Sequence, residues 1–541
     1  MPTTSSSKWS SARRVPAALL GALALSAAVL PAASAARAHS RAHAARRPAT
    51  VPSVLASLRA SGAITPTAYT ADLAAYNAAK RSLRRLSGTR RVELGAVLSN
   101  LAAIAASGQL DASRLPVLIL TLERNRTWWT TEPLLSNGER VTFPRSEIVW
   151  QYYEGQGLEI QWLGTFGKAN GYYLSGHENS NLKQLLAEAI PLASARAGGI
   201  AWEYTFRFDG GRPPWTSGLS QGTAIQVLAR ASERFREPAL LATAREALGI
   251  FQARPPSGVR VPTSLGAYFA QYSYAPSDRI LNGFIQAEVG LYDYASISKD
   301  PLGLALFRAG DAQARAMVPH YDTGAWSLYD QHEESSLSYH ELLTEFLKHL
   351  CERTSKGEPF VEAAAPGATT TPPATTGGTT TSTGTSTTTG SATTATGTTT
   401  TTTAAGGTGT TSTGTSAAPA PASAPQPIAA DEIYCKTAER FEADLRTPPA
   451  VKLLSTLLPT RSRAGVRMWL SKISTVHLVV RRSGRVIWTN SATVSRGTPR
   501  LLWVTPSKPG AYEITLAASD LAGNFQTAHG TVRLAKGAKG N

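Results

Sequence analysis

Cysteine is nearly absent from this 541-residue chain. Only Cys351 and Cys435 occur, which excludes a disulfide-rich scaffold and a cysteine zinc site. Histidine numbers nine. His332 and His340 stand apart from any other His, Cys or Glu at metal-ligand spacing, so neither a metal nor another cofactor is expected. Long apolar runs are equally scarce. The one that stands out, Val15–Leu30, follows Arg13 and Arg14 and precedes Ala33-Ser34-Ala35. A basic segment, a short apolar run and a small-residue cleavage site read as a secretory signal over residues 1–35. The run falls short of the roughly 20 apolar residues a membrane span needs, so no transmembrane span is expected after cleavage. The mature protein is expected to be secreted or held in the cell envelope. Acidic residues are the minority charge, 37 Asp+Glu against 54 Lys+Arg, for a formal net charge of +17. Such a surplus can attract acidic polysaccharide, anionic lipid or nucleic acid. No nucleic-acid-binding motif accompanies it, so nucleic acid is not the expected partner.

Single cores seldom grow beyond roughly 250–300 residues, so the length predicts more than one folding unit. Residues 36–66, Arg- and Ala-rich, read as a mobile leader. Residues 67–124 read as helices, with Tyr69, Leu73, Tyr76 and Leu83 at helical spacing. Residues 125–362 are taken as one domain. Its opening stretch to Gln151 is aromatic and β-like (Trp128, Trp129, Val141, Phe143), with Asn137-Gly138 as a hairpin turn signal. Helical patterns then follow at 158–174, 181–196, 217–235, 238–252, 280–296, 301–317 and 335–352. Many amphipathic helices with short links predict a mainly α domain, a toroid or barrel of paired helices, with a small β region before it. Residues 363–430 are almost wholly Thr, Gly, Ser, Ala and Pro, with no large apolar residue to bury, and read as a flexible linker. A short helix is expected at 431–448. Residues 449–541 alternate apolar and polar, as in Val466–Leu470 and Tyr512–Leu516. Turn residues at Ser483-Gly484 and Gly523-Asn524 separate the runs, and the pattern predicts a separate all-β sandwich. Ala518–Asn524 resembles a turn of bacterial immunoglobulin-like or fibronectin-like modules.

Three ordered stretches carry the chemistry. The first runs Pro213-Pro-Trp-Thr-Ser-Gly-Leu-Ser-Gln-Gly to Arg230-Ala231. The second is Tyr272-Ser-Tyr-Ala-Pro-Ser-Asp-Arg-Ile-Leu-Asn-Gly-Phe284, continuing to Gly290-Leu-Tyr-Asp293. The third is Tyr321-Asp-Thr-Gly324 with Tyr329-Asp330 and Leu337-Ser-Tyr-His340. Together they resemble the C-terminal catalytic domain of the D-glucuronyl C5-epimerases, over Trp202 to about Leu350. The resemblance implies removal of the C5 proton of a glucuronate within a polymer and reprotonation on the opposite face. The expected partner is therefore a glucuronate-containing polysaccharide. That chemistry needs a proton-transfer group on each side of the ring and groups that stabilise charge on the carboxylate. Carried over by position, Tyr272 and Tyr339 are the candidate proton-transfer groups, with Tyr329 supporting them. A tyrosine base needs its hydroxyl, ordinarily near pKa 10, lowered by nearby positive charge. Arg279 is the candidate carboxylate partner on chemical grounds. Trp215, Gln221, Gln271, Asn282 and His340 complete the candidate substrate-binding set. For Trp215, a sugar-stacking platform and a core residue at a helix start both stay open.

The chain departs from the family pattern in four places. Gln271 stands where animal members have a glutamate, and glutamine cannot exchange a proton there. Tyr274 competes with Tyr272 for the match. The stretch from Tyr329 to Tyr339 is short, and Leu343 replaces a second histidine. Two further readings therefore accompany the epimerase: a uronate polysaccharide lyase, starting from the same C5 abstraction, and an inactive glycan-binding protein of the same fold. Cys351 ends the epimerase-like region and Cys435 follows the linker. A bond between them, in an oxidising compartment, would pin the returning chain to the domain before it; two unrelated buried thiols is the alternative. Nothing in the sequence speaks to oligomeric state.

Overall fold

The computed structural model describes residues 48–360 and 432–536. The signal expected at 1–35 and the linker expected at 363–430 lie outside the described residues. Order begins earlier than the sequence implied. Helix α1 (Val51–Ala60) opens with a reciprocal cap between Thr50 and Ser53 and buries Val51 and Leu55. The leader expected through residue 66 is therefore a docked helix from Val51, because two apolar residues four apart give it one face to bury. Helices α2 (Pro66–Arg85), α3 (Gly88–Ala106) and α4 (Leu115–Thr131) pack with it. Helix α4 runs past the expected boundary, so Trp128 and Trp129 are helical and not part of a β region. Asn125 explains why: its Oδ1 accepts from Trp129 Nε1 one turn later, at 2.8 Å, and from the Leu158 amide, also at 2.8 Å.

A three-stranded antiparallel sheet follows, β1 (Arg140–Val141), β2 (Trp150–Tyr153) and β3 (Gly157–Ile160). Asn137-Gly138 precedes β1 and joins no two strands; the Gly138 amide instead donates to Tyr152 O at 2.8 Å. The helix expected from Leu158 starts at Trp162, because residues 157–160 pair with β2. Next come α5 (Trp162–Ser175), α6 (Asn179–Ala189), the hairpin β4 (Ser194–Arg196) and β5 (Gly199–Ala201), α7 (Gly218–Phe235), α8 (Pro238–Glu246) and α9 (Gly249–Gln252). The short pair β6 (Arg260–Pro262) and β7 (Ala267–Phe269) leads to α10 (Leu281–Ser298), α11 (Pro301–Met317) and α12 (Leu337–Thr354).

Helix α10 is the central post, packed by α7, α11 and α12. Its approach to α7 depends on two motif glycines. A Cβ on Gly222 would stand 2.7 Å from Ala287 Cα, and one on Gly290 would stand 2.1 Å from Gly222 O. The motif charges sit at the same crossing. Asp293 binds Arg230 at 2.9 Å and Arg353 at 2.6 Å, and accepts from Gln226 at 2.9 Å. Burial raises the Asp293 pKa, but the hydrogen bonds and charge of Arg353, then Arg230, outweigh it and leave the carboxyl below its usual value. Arg230, Asp293 and Arg353 thus hold α7, α10 and α12 together.

The chain returns as α13 (Ile433–Asp444), which lies against α12 and is joined to it by the Cys351–Cys435 disulfide. Beyond it stand eight strands, β8 (Val451–Leu453), β9 (Leu457–Pro459), β10 (Arg463–Leu470), β11 (Ser474–Arg482), β12 (Arg485–Val494), β13 (Arg500–Val504), β14 (Gly510–Asp520) and β15 (Phe525–Ala535). They form two sheets, ordered β13-β10-β8 and β12-β11-β14-β15-β9, over one apolar core that includes Val466, Met468, Leu478, Trp503 and Leu516. This β part has its own core but is not detached. Lys472 pairs with Asp520 at 2.8 Å, both side chains 1% exposed, and its ammonium lies 5.2 Å from the Trp326 ring centre. Glu334 accepts from the Ile473 amide at 3.2 Å and the Arg496 amide at 3.1 Å.

Candidate active site

Three separate elements bring the candidate tyrosines together. Tyr272 lies in the loop between β7 and α10, tied down where Ser273 N donates to Thr216 O at 3.0 Å. Tyr329 ends the segment that follows Asp322, and its carbonyl accepts from the Leu281 amide at 3.4 Å as α10 begins. Tyr339 is in the first turn of α12, where Ser336 Oγ caps its amide at 3.4 Å. The rings of Tyr329 and Tyr339 are 4.6 Å apart between centres. The Tyr329 hydroxyl and the Gln271 side chain both lie close enough to Tyr272 to influence its ionisation, and Gln271 influences Tyr329 as well. Gln271 is buried, and its Oε1 has no partner among the described residues. The glycine of Leu-Asn-Gly-Phe makes room for that amide: a Cβ on Gly283 would lie 2.4 Å from Gln271 Oε1.

Burial pushes the Tyr272 and Tyr329 hydroxyls above their ordinary pKa, and the neighbouring phenols add to it. The two are not equivalent. The interaction with Gln271 and with Tyr329 favours an anion on Tyr272, whereas the interaction with Tyr272 disfavours one on Tyr329.

Other candidates fall elsewhere. Arg279 was expected beside the tyrosine base, but its guanidinium lies over the Tyr268 ring at 4.4 Å, with Nη1 buried and unpartnered. The main influences on Tyr272 and Tyr329 are burial, other phenols and the Gln271 amide. Trp215 is 4% exposed, stacks on Tyr204 at 4.2 Å and donates to Phe206 O at 2.9 Å. It backs Tyr272 edge-on at 5.7 Å and offers no open face to a sugar. Gln221 is spent on structure, donating to Ile200 O at 2.9 Å and Ala247 O at 3.1 Å. Asn282 is buried at the start of α10 and accepts from the Gly283 amide at 2.9 Å.

His340 is fully buried, stacked on Trp326 with ring centres 3.7 Å apart. Its Nε2 meets Phe441 O at 2.9 Å, while Nδ1 faces the Ser327 amide at 3.2 Å and the Ser327 hydroxyl at 2.8 Å. An amide donor on Nδ1 and a carbonyl at Nε2 fix the neutral Nε2–H tautomer. Burial pushes its pKa down to about 4. This histidine locks α13 to α12 and is closed to substrate.

The structure adds one titratable group. Glu159, 2% exposed in β3, accepts from the Thr205 hydroxyl at 3.1 Å, and burial pushes its pKa up to about 8. It adjoins an aromatic wall of Tyr153, Phe206 and Phe208 that extends to Tyr272. The sequence signal was a glutamate inside the otherwise apolar Gly-Leu-Glu-Ile run. Among the described residues, no group of three or more His, Cys, Asp and Glu is arranged to hold a metal.

Clustered phenols and an amide beside a post of packed helices suit proton transfer at carbon. Residues 197–365 match the family described as the D-glucuronyl C5-epimerase C-terminus. A D-glucuronyl C5-epimerase of Caenorhabditis elegans is 30% identical over 131 residues, which are 22% of this chain and 21% of that protein. An uncharacterized protein of Methanocaldococcus jannaschii is 28% identical over 138 residues, 24% of this chain and 45% of that protein. The chain thus covers about a fifth of the worm protein and under half of the archaeal one.

Proposed function

We propose that this protein inverts C5 of D-glucuronate residues in an exported polysaccharide. The observation that carries the reading is the gathering of Tyr272, Tyr329, Tyr339 and Gln271 inside the stretch that matches the epimerase family. The Tyr272 oxygen takes the C5 proton. The electron pair passes into the carboxylate as an enediolate, and the Tyr339 hydroxyl returns a proton to the opposite face. Tyr329, which neighbours Tyr272 and packs on the Tyr339 ring, passes the proton back and resets the pair in this proposal. The helices around α10 are read as part of a toroid of paired helices, and the C-terminal sheets as an immunoglobulin-like module. Export rests on the signal read at residues 1–35.

The test is incubation with glucuronate-rich polymer in deuterated water. Deuterium at C5 in intact chains is the expected result. An unsaturated, ultraviolet-absorbing product would instead identify a lyase, and glycan binding with neither would identify an inactive relative. Tyr339→Phe keeps the ring and removes the proton, so exchange should fall by at least about a hundredfold. Unchanged exchange would remove Tyr339 from the mechanism.

A further inference from the structure

The β module carries a second feature that the proton-transfer site does not use. From Leu445 to Tyr512 the chain has twelve Lys and Arg residues and no Asp or Glu. Strand β10 alternates so that Ala464, Val466, Met468 and Leu470 enter the core, which leaves Arg463, Gly465, Arg467 and Trp469 on the outer face. The strand pairing extends that face sideways. Arg467 stands opposite Arg500 on β13, and Trp469 opposite Lys452 on β8. Arg463, Arg467, Arg500 and Lys452 are exposed, and Trp469 is 42% exposed. A Cβ on Gly465 would lie 3.1 Å from the Arg500 stem, so the glycine lets that side chain lie along the sheet. A shallow cavity of about 530 Å³ opens here, lined in part by Ser455, Thr456, Arg463, Arg467 and Arg500.

This arrangement costs the fold something. Like charges directly opposite on paired strands repel, and among the described residues none of these four cations has a carboxylate partner. An anion laid along the strip would relieve that repulsion. We infer that the outer face of the β8-β10-β13 sheet is a binding strip for an acidic polysaccharide, with Arg463, Arg467, Arg500 and Lys452 meeting carboxylates and Trp469 stacking on a sugar ring. The aromatic favours a glycan, because a pyranose presents an apolar C–H face to stack and a carboxylate within reach of the flanking cations. The direction of the strip agrees. Four residues past Trp469, the Ile473 amide is held by Glu334, which lies between Tyr329 and Tyr339 in the chain. The C-terminal end of β10 is thereby the end tied to the segment that carries Tyr329 and Tyr339. The identity of the polymer as a uronate rests on the proposed function; the strip does not.

The test uses the full chain and hyaluronan, an alternating glucuronate polymer, with uncharged dextran as control. Wild type should bind hyaluronan and not dextran, and the affinity should fall as salt is raised. The triple variant Arg463→Gln/Arg467→Gln/Arg500→Gln should lose about tenfold or more in affinity. Trp469→Ala should weaken binding severalfold with the salt dependence unchanged. C5 exchange on a short glucuronate oligosaccharide should be unaltered in both. Hyaluronan binding equal to wild type in the triple variant would overturn the strip, as would tighter binding to DNA or anionic vesicles than to hyaluronan. Strip-dependent binding with no C5 exchange in wild type would uphold the strip and count against the epimerase reading.

Discussion

Replacing Cys351 and Cys435 together by alanine opens a covalent loop whose ends are 84 residues apart. Cross-linking a loop that long removes entropy from the unfolded chain worth about 4–5 kcal/mol in the chain-entropy treatment, and native disulfides commonly give about 2–4. The folded state should change little. Helix α13 is held independently by His340 Nε2 on Phe441 O at 2.9 Å, by Tyr434 on Asp311 at 2.8 Å and by Lys348 on Glu442 at 2.6 Å. Lys472 adds a further clamp, donating to Asp444 O at 2.8 Å and Thr447 O at 2.6 Å. The expectation is therefore split: stability falls by about 2–4 kcal/mol, while C5 exchange at moderate temperature persists. Equilibrium denaturation measures the first and deuterium incorporation the second. Equal stability of the two proteins would refute the entropic argument. Loss of exchange in a variant that is still folded would show that the bond acts on the native site instead.

Three further outcomes are expected. Because burial raises the Tyr272 hydroxyl pKa, its reactive phenolate is a minority form at neutral pH, so kcat/KM should climb with pH through the neutral range; a plateau below pH 7 would contradict that. His340 is held neutral with its pKa down at about 4 against 6.5 unfolded. The unfolded chain therefore takes up a proton first on acidification. The stabilisation is complete above pH 6.5 and lost as pH falls through 4, for a total of roughly 3 kcal/mol. His340→Gln should flatten that part of the stability profile, and an unchanged slope between pH 6.5 and 4 would refute it. Asp293→Asn leaves Arg230 and Arg353, each 13% exposed, without their shared counter-charge; a loss of about 3–5 kcal/mol is expected in denaturant titration, and a loss under 1 would mean water already screens the pair.

Legibility in the sequence followed the range of the interactions. Helices α11 and α12 are readable because their buried residues recur at helical spacing, and β10, β11 and β14 because theirs alternate, whereas α7 and α10 are buried along most of their length and announce themselves by motif. The motif glycines were visible as letters, but their reason, the contact of Gly222 with Ala287 and Gly290, is a crossing of two helices. What failed depended on distant partners. His340 looked available to substrate because the carbonyl that covers it, Phe441 O, is 101 residues away. The β module looked detached because Glu334 reaches Ile473 across 139 residues. Trp215 and Arg279 have the side-chain chemistry of a sugar site, but each is occupied by an aromatic partner that local pattern does not reveal.

Gln271 changes the balance among the tyrosines in a way that bears on the proposed mechanism. A carboxylate at this position would face the Tyr272 and Tyr329 hydroxyls, and its charge would oppose an anion on either oxygen. The amide does the reverse, since its interaction favours the ionised form of both phenols. With the Arg279 guanidinium over Tyr268, neutral donors take the place of the expected cation: Gln271 and the Tyr329 hydroxyl together favour the Tyr272 anion. Neutral hydrogen bonds are weaker than charge-assisted ones, which fits a base that needs alkaline conditions for its full rate. On this reasoning glutamine does not mark the site as inactive. In the proposed mechanism the work of proton exchange falls on the phenols rather than on a carboxyl.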